Sequence, residues 1–187
     1  MVSSFYSIEE LSELGLASFG ENVLISRKAS IYGAKFINIG NNVRIDDFCI
    51  LSGKISIGNY VHLAAYTALY GGDKGIFIDD FVGISSRVTI YSISDDYSGE
   101  TMTNPMIPNA YKKIHSEKVV IERHVLFGSC CVVLPGVVLK EGSAFGAFSL
   151  INRSSEPWSI NAGIPSKKIK SRSNNLLNLE KAFIEEQ

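Results

Sequence analysis

Ile39-Gly-Asn-Asn-Val-Arg-Ile45-Asp-Asp-Phe-Cys-Ile-Leu51-Ser-Gly-Lys-Ile-Ser-Ile57-Gly-Asn-Tyr-Val-His-Leu63-Ala-Ala-Tyr-Thr-Ala-Leu69 carries a bulky apolar residue at every sixth position. The same spacing returns in Ile78, Ile84 and Ile90, and again in Ile121, Phe127, Val133, Leu139, Phe145 and Ile151. A helix repeats near 3.6 residues and an amphipathic strand every second residue, so a period of six fits neither. Four residues after each anchor stands a second residue, small or β-branched in most cases: Val43, Cys49, Ile55, Val61 and Thr67; Val82 and Val88; Val125, Cys131, Val137, Ser143 and Ser149. Two inward positions per hexad, one large and one small, suit a narrow triangular prism whose sides are short strands. Gly40-Asn41-Asn42, Gly58-Asn59 and Asp79-Asp80 are expected to turn its corners. Three hexads close one coil. Each buried anchor contributes roughly 1.5–3 kcal/mol, and stacking supplies the burial that one coil lacks.

The repeat breaks twice. Between Leu69 and Ile78 the insert Tyr70-Gly-Gly-Asp-Lys-Gly75 reads as a small corner bulge. From Tyr91 to Lys118 no hexad occurs, and a loop of that length in a compact domain is usually functional or disordered. Its ends rejoin neighbouring coils, so we read it as an excursion that wraps a neighbouring subunit and shapes an acceptor pocket. At the N-terminus, residues 7–14 carry a Ser cap, a Glu at the third helical position and spaced apolar residues, which predicts a short helix. Residues 174–186 predict a terminal amphipathic helix. The chain is therefore expected to be one all-β domain, 1–187, with an N-terminal segment 1–19, a parallel β-helix 20–170 interrupted by the loop at about 91–118, and a helical end at 171–187.

Composition narrows the function. The 187 residues are 45% hydrophobic and 20% charged, with net charge −1. No basic stripe suggests nucleic acid, and no apolar run is long enough to insert in a bilayer. The first ten residues lack a signal-peptide pattern. The cysteines Cys49, Cys130 and Cys131 are odd in number, which reads as reduced and cytoplasmic.

With the repeat in hand, the sequence resembles the hexapeptide-repeat acyltransferases over residues 20–170. The left hand of the β-helix follows from that resemblance and not from the period. Ser143-Ala-Phe-Gly-Ala-Phe-Ser149 and Ala162-Gly-Ile-Pro-Ser-Lys-Lys168 are similar to the family's C-terminal signature. Ser166 stands where Ala is common, and Phe145 and Phe148 where smaller residues are common. The family binds acetyl-CoA between two subunits of a homotrimer. The resemblance makes Gly128, Ser129, Gly146 and Ala147 candidates for the pantetheine path, and Pro165 a further cofactor-binding candidate. Lys168, Lys170 and Arg172 are candidates for its phosphates.

The acceptor is read from the loop. Galactoside and maltose acetyltransferases, which act on hydroxyls, carry a His after the strand equivalent to Ile90-Tyr-Ser-Ile-Ser-Asp-Asp-Tyr97; this stretch has none. The run Ile84–Gly99 instead resembles the N-acyltransferases of dTDP-linked 4-amino-4,6-dideoxyglucose, in which two carboxylates flank the sugar amine. The matching positions are Asp95, or its neighbour Asp96, and Glu117. A carboxylate attracts an ammonium and can take its proton, and Asp is equally a turn former. Ser85, Ser86 and Tyr97 are candidates for substrate contact, and His62, projecting beside Val61, for an alternative base. The resemblance thus implies a cytoplasmic N-acetyltransferase of nucleotide-linked amino sugars for surface polysaccharides, with direct transfer in a ternary complex. A sugar O-acetyltransferase using His62 or His115, and a non-catalytic scaffold, stand as alternatives. Cys49 and Cys131 occupy inward positions, against a covalent role. His62, His115 and His124 lack the tight spacing of a zinc site on adjacent coils, so no metal is expected.

Overall fold

The computed structural model of the chain describes residues 4–186. Residues 1–3 and 187, the outermost ends of the two terminal segments, lie outside it. The chain winds about seven turns of a left-handed parallel β-helix. The first face stacks Leu24–Ile25, Arg44–Ile45, His62–Leu63, Gly83–Ile84, Leu126–Phe127, Ala144–Phe145 and Ser159–Ala162 in parallel register. Two strands, Ile50–Ile57 and Ala68–Ile78, are long enough to turn a corner and serve both other faces. The second face continues through Thr89–Tyr91, Val132–Val133 and Leu150–Ile151, the third through Val119–Ile121 and Val138–Leu139.

The core is the hexad ladder. Every sixth-position anchor is buried, and so is each of the smaller partners named with it above. The insert at Tyr70–Gly75 is the expected bulge: pairing slips between Ser52, Gly53 and Ile55, opposite Tyr70, Gly72 and Ile76. Gly71 is required there, because a Cβ would sit 2.1 Å from the carbonyl oxygen of Lys54.

The corners correct the sequence reading. Asn42 does take left-handed backbone at φ 56°, but the equivalent residues on later coils are Tyr60, Phe81, His124, Gly142 and Trp158. Left-handed backbone costs a bulky residue roughly 1–3 kcal/mol. Stacking offsets part of it, with Tyr60 on Phe81 at 4.9 Å and Phe81 on His124 at 5.1 Å between ring centres. Asn41, Asn59 and Asp80 act one position earlier. Their side-chain oxygens accept the backbone N–H of Glu21, Asn41 and Asn59, tying each coil to the one before. His124, at one of these corners, is covered to 7% exposure beneath the C-terminal helix.

The ends differ in part from expectation. Helix α1, Ile8–Glu13, begins at a Ser7–Glu10 capping box. Helix α2 spans Leu176–Glu185 rather than the whole tail. Before it, Lys167–Ser171 folds back antiparallel on Ser159–Ala162, because Gly163 at φ 105° reverses the chain. Glu180 then fastens α2 to Arg123 and His124.

Candidate active site

The outward side of the first face is a graded surface. Alternate residues of a strand point to opposite sides, so Ile45, Leu63, Ile84, Phe127 and Phe145 face in and their neighbours face out. One outward row runs Arg44, His62, Gly83, Leu126, Ala144 and Ile160. The other runs Asp46, Ala64, Ser85, Gly128 and Gly146, each donating its N–H to the next coil at 2.8–3.2 Å. Charge is concentrated on the N-terminal coils and small residues on the C-terminal ones. A Cβ on Gly128 would lie 2.5 Å from the backbone nitrogen of Ala147.

Between the two zones is a hollow of about 270 Å³ lined by His62, Ala64, Gly83, Ser85, Ser86, Leu126 and Ser129. His62 is outward, as expected. Its Nε2 lies 2.8 Å from Asp46 Oδ2, and Arg44 Nε donates to Asp46 Oδ1 at 2.7 Å. Burial raises the Asp46 carboxyl, but the hydrogen bonds from Arg44 and His62 together outweigh it and hold the group below its ordinary value. Sequence reasoning missed Arg44 and Asp46; their only signal was an outward position one coil below His62.

The loop supplies a second hollow, about 610 Å³, at its base. The antiparallel pair Ile93–Ser94 and His115–Ser116 closes the loop's neck. Asp95, Asp96, Tyr97, Lys113, His115 and Glu117 line the space. The two aspartates differ. Asp96, a candidate base by sequence, has both oxygens occupied, by Ser98 N at 2.9 Å and Thr101 Oγ1 at 2.8 Å. The Ser98 and Thr101 bonds pull its carboxyl down to about 2. Asp96 therefore builds the loop. Asp95 is exposed, and its carboxylate has no partner among the described residues. Glu117 Oε1 lies 3.4 Å from His115 Nε2, and its other oxygen lies over the Gly136 corner. Tyr97 is 93% exposed.

One chain does not join these two groups. The loop leaves the second face after Tyr91 and re-enters the third at Val119, whereas Ser85, Ser86 and His62 belong to the first face and its corner. Gly128, Ser129, Gly146 and Ala147 do lie together on adjacent coils. Pro165 is exposed beyond the Gly163 turn. Lys170 is exposed, while Lys168 Nζ is paired with Glu156 at 2.5 Å. Arg172 donates to the carbonyls of His124 and Gly142, so its guanidinium staples the chain end to the corner.

The inward cysteines are unsuited to nucleophilic work. Burial pushes the Cys49 thiol up to about 11 and raises Cys131 as well. Among the described residues no three His, Cys, Asp or Glu side chains are grouped to hold a metal ion. No helix among them is long and apolar enough to cross a membrane.

No protein-family profile matches the chain. A dTDP-4-amino-4,6-dideoxy-D-glucose acyltransferase of Escherichia coli is 50% identical over 177 residues, 93% of this chain and 92% of the relative. AntD, an N-acyltransferase from Bacillus cereus, superposes with a TM-score of 0.97 at 50% identity over all of both chains, in crystals of substituted forms containing coenzyme A with dTDP or with dTDP-4-amino-4,6-dideoxyglucose. A further AntD structure holds dTDP and 3-hydroxybutyryl-CoA, with a TM-score of 0.96 at 51% identity over 99% of this chain and 98% of AntD. A galactoside acetyltransferase in complex with coenzyme A shares the fold alone, at a TM-score of 0.58 and 21% identity over 89% of this chain and 70% of its own. Hexad ladder, coil number and half of all residues are thus held in common, and the chain belongs to the hexapeptide-repeat acyltransferases of the dTDP-4-amino-4,6-dideoxyglucose type.

Proposed function

We propose that the chain transfers an acyl group from a CoA thioester to the 4-amino group of dTDP-4-amino-4,6-dideoxyglucose. The observation that carries this reading is the graded first face: a polar hollow at Ser85, Ser86 and His62 that gives way to the small-residue row at Gly128 and Gly146. The relatives named above act on this sugar or have been crystallised with it and coenzyme A. Acetyl-CoA is the expected donor.

In the reaction the amine nitrogen attacks the thioester carbonyl. A C–N bond forms, the C–S bond breaks, and the departing CoA thiolate takes the proton that the nitrogen sheds after attack. The ammonium must first lose a proton. Asp95, with no other partner to satisfy, attracts the ammonium and takes that proton; Glu117 adds negative charge beside it. Ser85 and Ser86 orient the amine, His62 offers a second proton acceptor, and Asp96 and Tyr97 shape the loop and its rim. The pantetheine arm follows Gly128, Ser129, Gly146 and Ala147 toward Pro165. Lys170, with Lys168 once it leaves Glu156, meets the phosphates.

Loop carboxylates and first-face hydroxyls sit on separate edges of one chain, which supports a homotrimer with each site built by two subunits. It also supports the loop as the segment that reaches a neighbour. We further read the chain as a single cytoplasmic domain serving surface-polysaccharide synthesis, where its nucleotide-linked acceptor is made.

The test is to incubate the protein with acetyl-CoA, the amino-sugar nucleotide and a thiol reagent. Thiol release that depends on this sugar supports the reading. Release with a hydroxyl acceptor and none with the amine would reject it.

A further inference from the structure

Two corners of the prism carry ladders of bulky residues on left-handed backbone. At one, Tyr60 and Phe81 are stacked, and Phe183 of α2 lies edge-on against both rings. At the other, Phe48, Tyr66 and Arg87 stand on successive coils at φ 61°, 65° and 60°. Phe48 and Tyr66 are stacked at 4.9 Å, and the Arg87 guanidinium lies over the Tyr66 ring, 5.3 Å from its centre. Lys28 closes the lower end of this column, 5.4 Å from the centre of the Phe48 ring, and its Nζ is paired with Asp47 at 2.8 Å. The column is open to solvent along its side, with Phe48 46% and Tyr66 50% exposed. Its upper end is not paired. Arg27, Arg44 and Arg123 are engaged by carboxylates and Arg172 by backbone carbonyls. The exposed guanidinium of Arg87 has neither among the described residues. Its N–H donors are left for solvent or a ligand while its plane is held on a ring. A guanidinium fixed in this way loses less freedom when it takes an anion.

We propose that Arg87 binds the diphosphate of the nucleotide-sugar acceptor, and that Tyr66 is the residue that positions it. The inference rests on the acyl-transfer reading above and assigns a residue to the nucleotide half of the acceptor. Reach decides between the anions of the reaction. Ser85 and Ser86 line the hollow and immediately precede Arg87. Two residues of chain span at most about 7 Å. In a 4-amino sugar linked through C1, the amine and the diphosphate stand on opposite sides of a single pyranose ring. An amine held at Ser85 therefore brings its own diphosphate within a side chain's length of the Arg87 corner. The CoA diphosphate is separated from the thioester by the whole pantetheine arm, which on the same reading follows Gly128 and Gly146 toward the C-terminal coils. Arginine meets a phosphate as a fork of two parallel donors. Lys28, at the other end of the column, is already neutralised by Asp47, so the open charge of this corner is the one beside Ser86.

The experiment measures binding of dTDP and of CoA by calorimetry, and steady-state kinetics with acetyl-CoA, in the full chain and in Arg87→Met, Arg87→Lys, Tyr66→Phe and Tyr66→Leu. Arg87→Met is expected to weaken dTDP binding by about 10–100-fold, as the loss of hydrogen bonds to a charged group does. KM for the amino-sugar nucleotide should rise with it, while kcat and the KM for acetyl-CoA change little. Arg87→Lys keeps the charge without the fork and should fall between the two. Tyr66→Phe keeps the ring and should behave as the native protein. Tyr66→Leu removes the support under the guanidinium and should raise KM for the nucleotide sugar with kcat retained. Because Arg87 is exposed, its variants remain informative even if Tyr66→Leu does not fold. Unchanged dTDP affinity in Arg87→Met, or no dTDP binding by the native protein, would overturn the proposal. So would a loss of CoA affinity as large as that of dTDP, since the anion at the corner would then be the donor's. The acyl-transfer reading is tested separately by thiol release. dTDP binding that Arg87→Met weakens, in a protein that releases no thiol with the amino sugar, keeps the subsite and rejects that reading. Sugar-dependent release with dTDP affinity unchanged in Arg87→Met does the reverse.

Discussion

His62 Nε2 and Asp46 Oδ2 meet at 2.8 Å across one coil boundary of the first face, with Arg44 on the far oxygen of the same carboxylate. His62 also lines the hollow that holds Ser85 and Ser86. A carboxylate behind a histidine sets its tautomer and orientation. If His62 handles a proton or a sugar hydroxyl, Asp46 positions it. Asp46→Asn and His62→Gln should each lower kcat by about 10–100-fold and leave the KM for the CoA donor unchanged. The double variant should lose little more than either single one, because the two act as a unit. Additive losses in steady-state kinetics would separate them.

Asp95 and Asp96 are adjacent in sequence and opposite in use. Asp95→Asn removes the unpartnered carboxylate and should reduce kcat by about 100-fold or more, with CoA affinity by calorimetry unchanged. Asp96→Asn removes the acceptor of the Ser98 and Thr101 bonds. Its effect should appear as faster proteolysis within residues 95–114 before it appears in kcat. The reverse pattern would exchange their roles.

The same bonds make the loop's acid response specific. Asp96 is depressed from its ordinary 3.8 to about 2 by Ser98 and Thr101. A lowered carboxyl adds stability that is complete above the ordinary value and fades as pH falls toward the folded one. The contribution of Asp96 to loop order should therefore be complete above pH 3.8 and be lost progressively as the pH falls from there to about 2. The carboxyl carbon of Asp96, followed by NMR, should titrate near that lower value; a midpoint at or above the ordinary one contradicts the geometry.

Gly128 tests the coil spacing. The added methyl of Gly128→Ala meets the Ala147 backbone and cannot be relieved by a side-chain rotation. Overpacking of this kind costs about 1–3 kcal/mol, so calorimetric Tm should fall by several degrees, and CoA affinity with it. Gly146→Ala meets the Ala162 Cβ at 3.1 Å and the Asn161 carbonyl at an ordinary 3.7 Å, and should be milder. Equal losses from both would remove the backbone argument.

Thiol chemistry should report the prism directly. Cys49 and Cys131 are buried and raised, while Cys130 is half-buried at a corner. An aromatic disulfide reagent at pH 8 should modify Cys130 in the native chain and all three cysteines after denaturation. Rapid native reaction at Cys49 would mean the coil opens there.

What the sequence alone determined was the prism and its contents. A period of six with two inward residues per hexad has one economical burial pattern, so Ile39 to Ile151 and their small partners were legible as core before any coordinates. The family resemblance then picked out Asp95, Glu117, Ser85 and the Gly128–Ala147 row. Tertiary structure decided what lies beside what. The bulge at Tyr70–Gly75 and the loop at Tyr91–Lys118 make successive coils unequal in length, so that Leu63 pairs with Ile84, but Ile84 with Phe127. No fixed spacing in the chain announces that Asp46 meets His62, that Asp96 and not Asp95 is consumed by its own loop, or that α2 returns to cover His124. Those contacts depend on register and on chain reversal, which long-range packing sets and local pattern does not. The separation of Asp95 and Glu117 from Ser85 and His62 onto different edges is of the same kind: the sequence shows the groups, and only the winding of the chain shows that they stand apart.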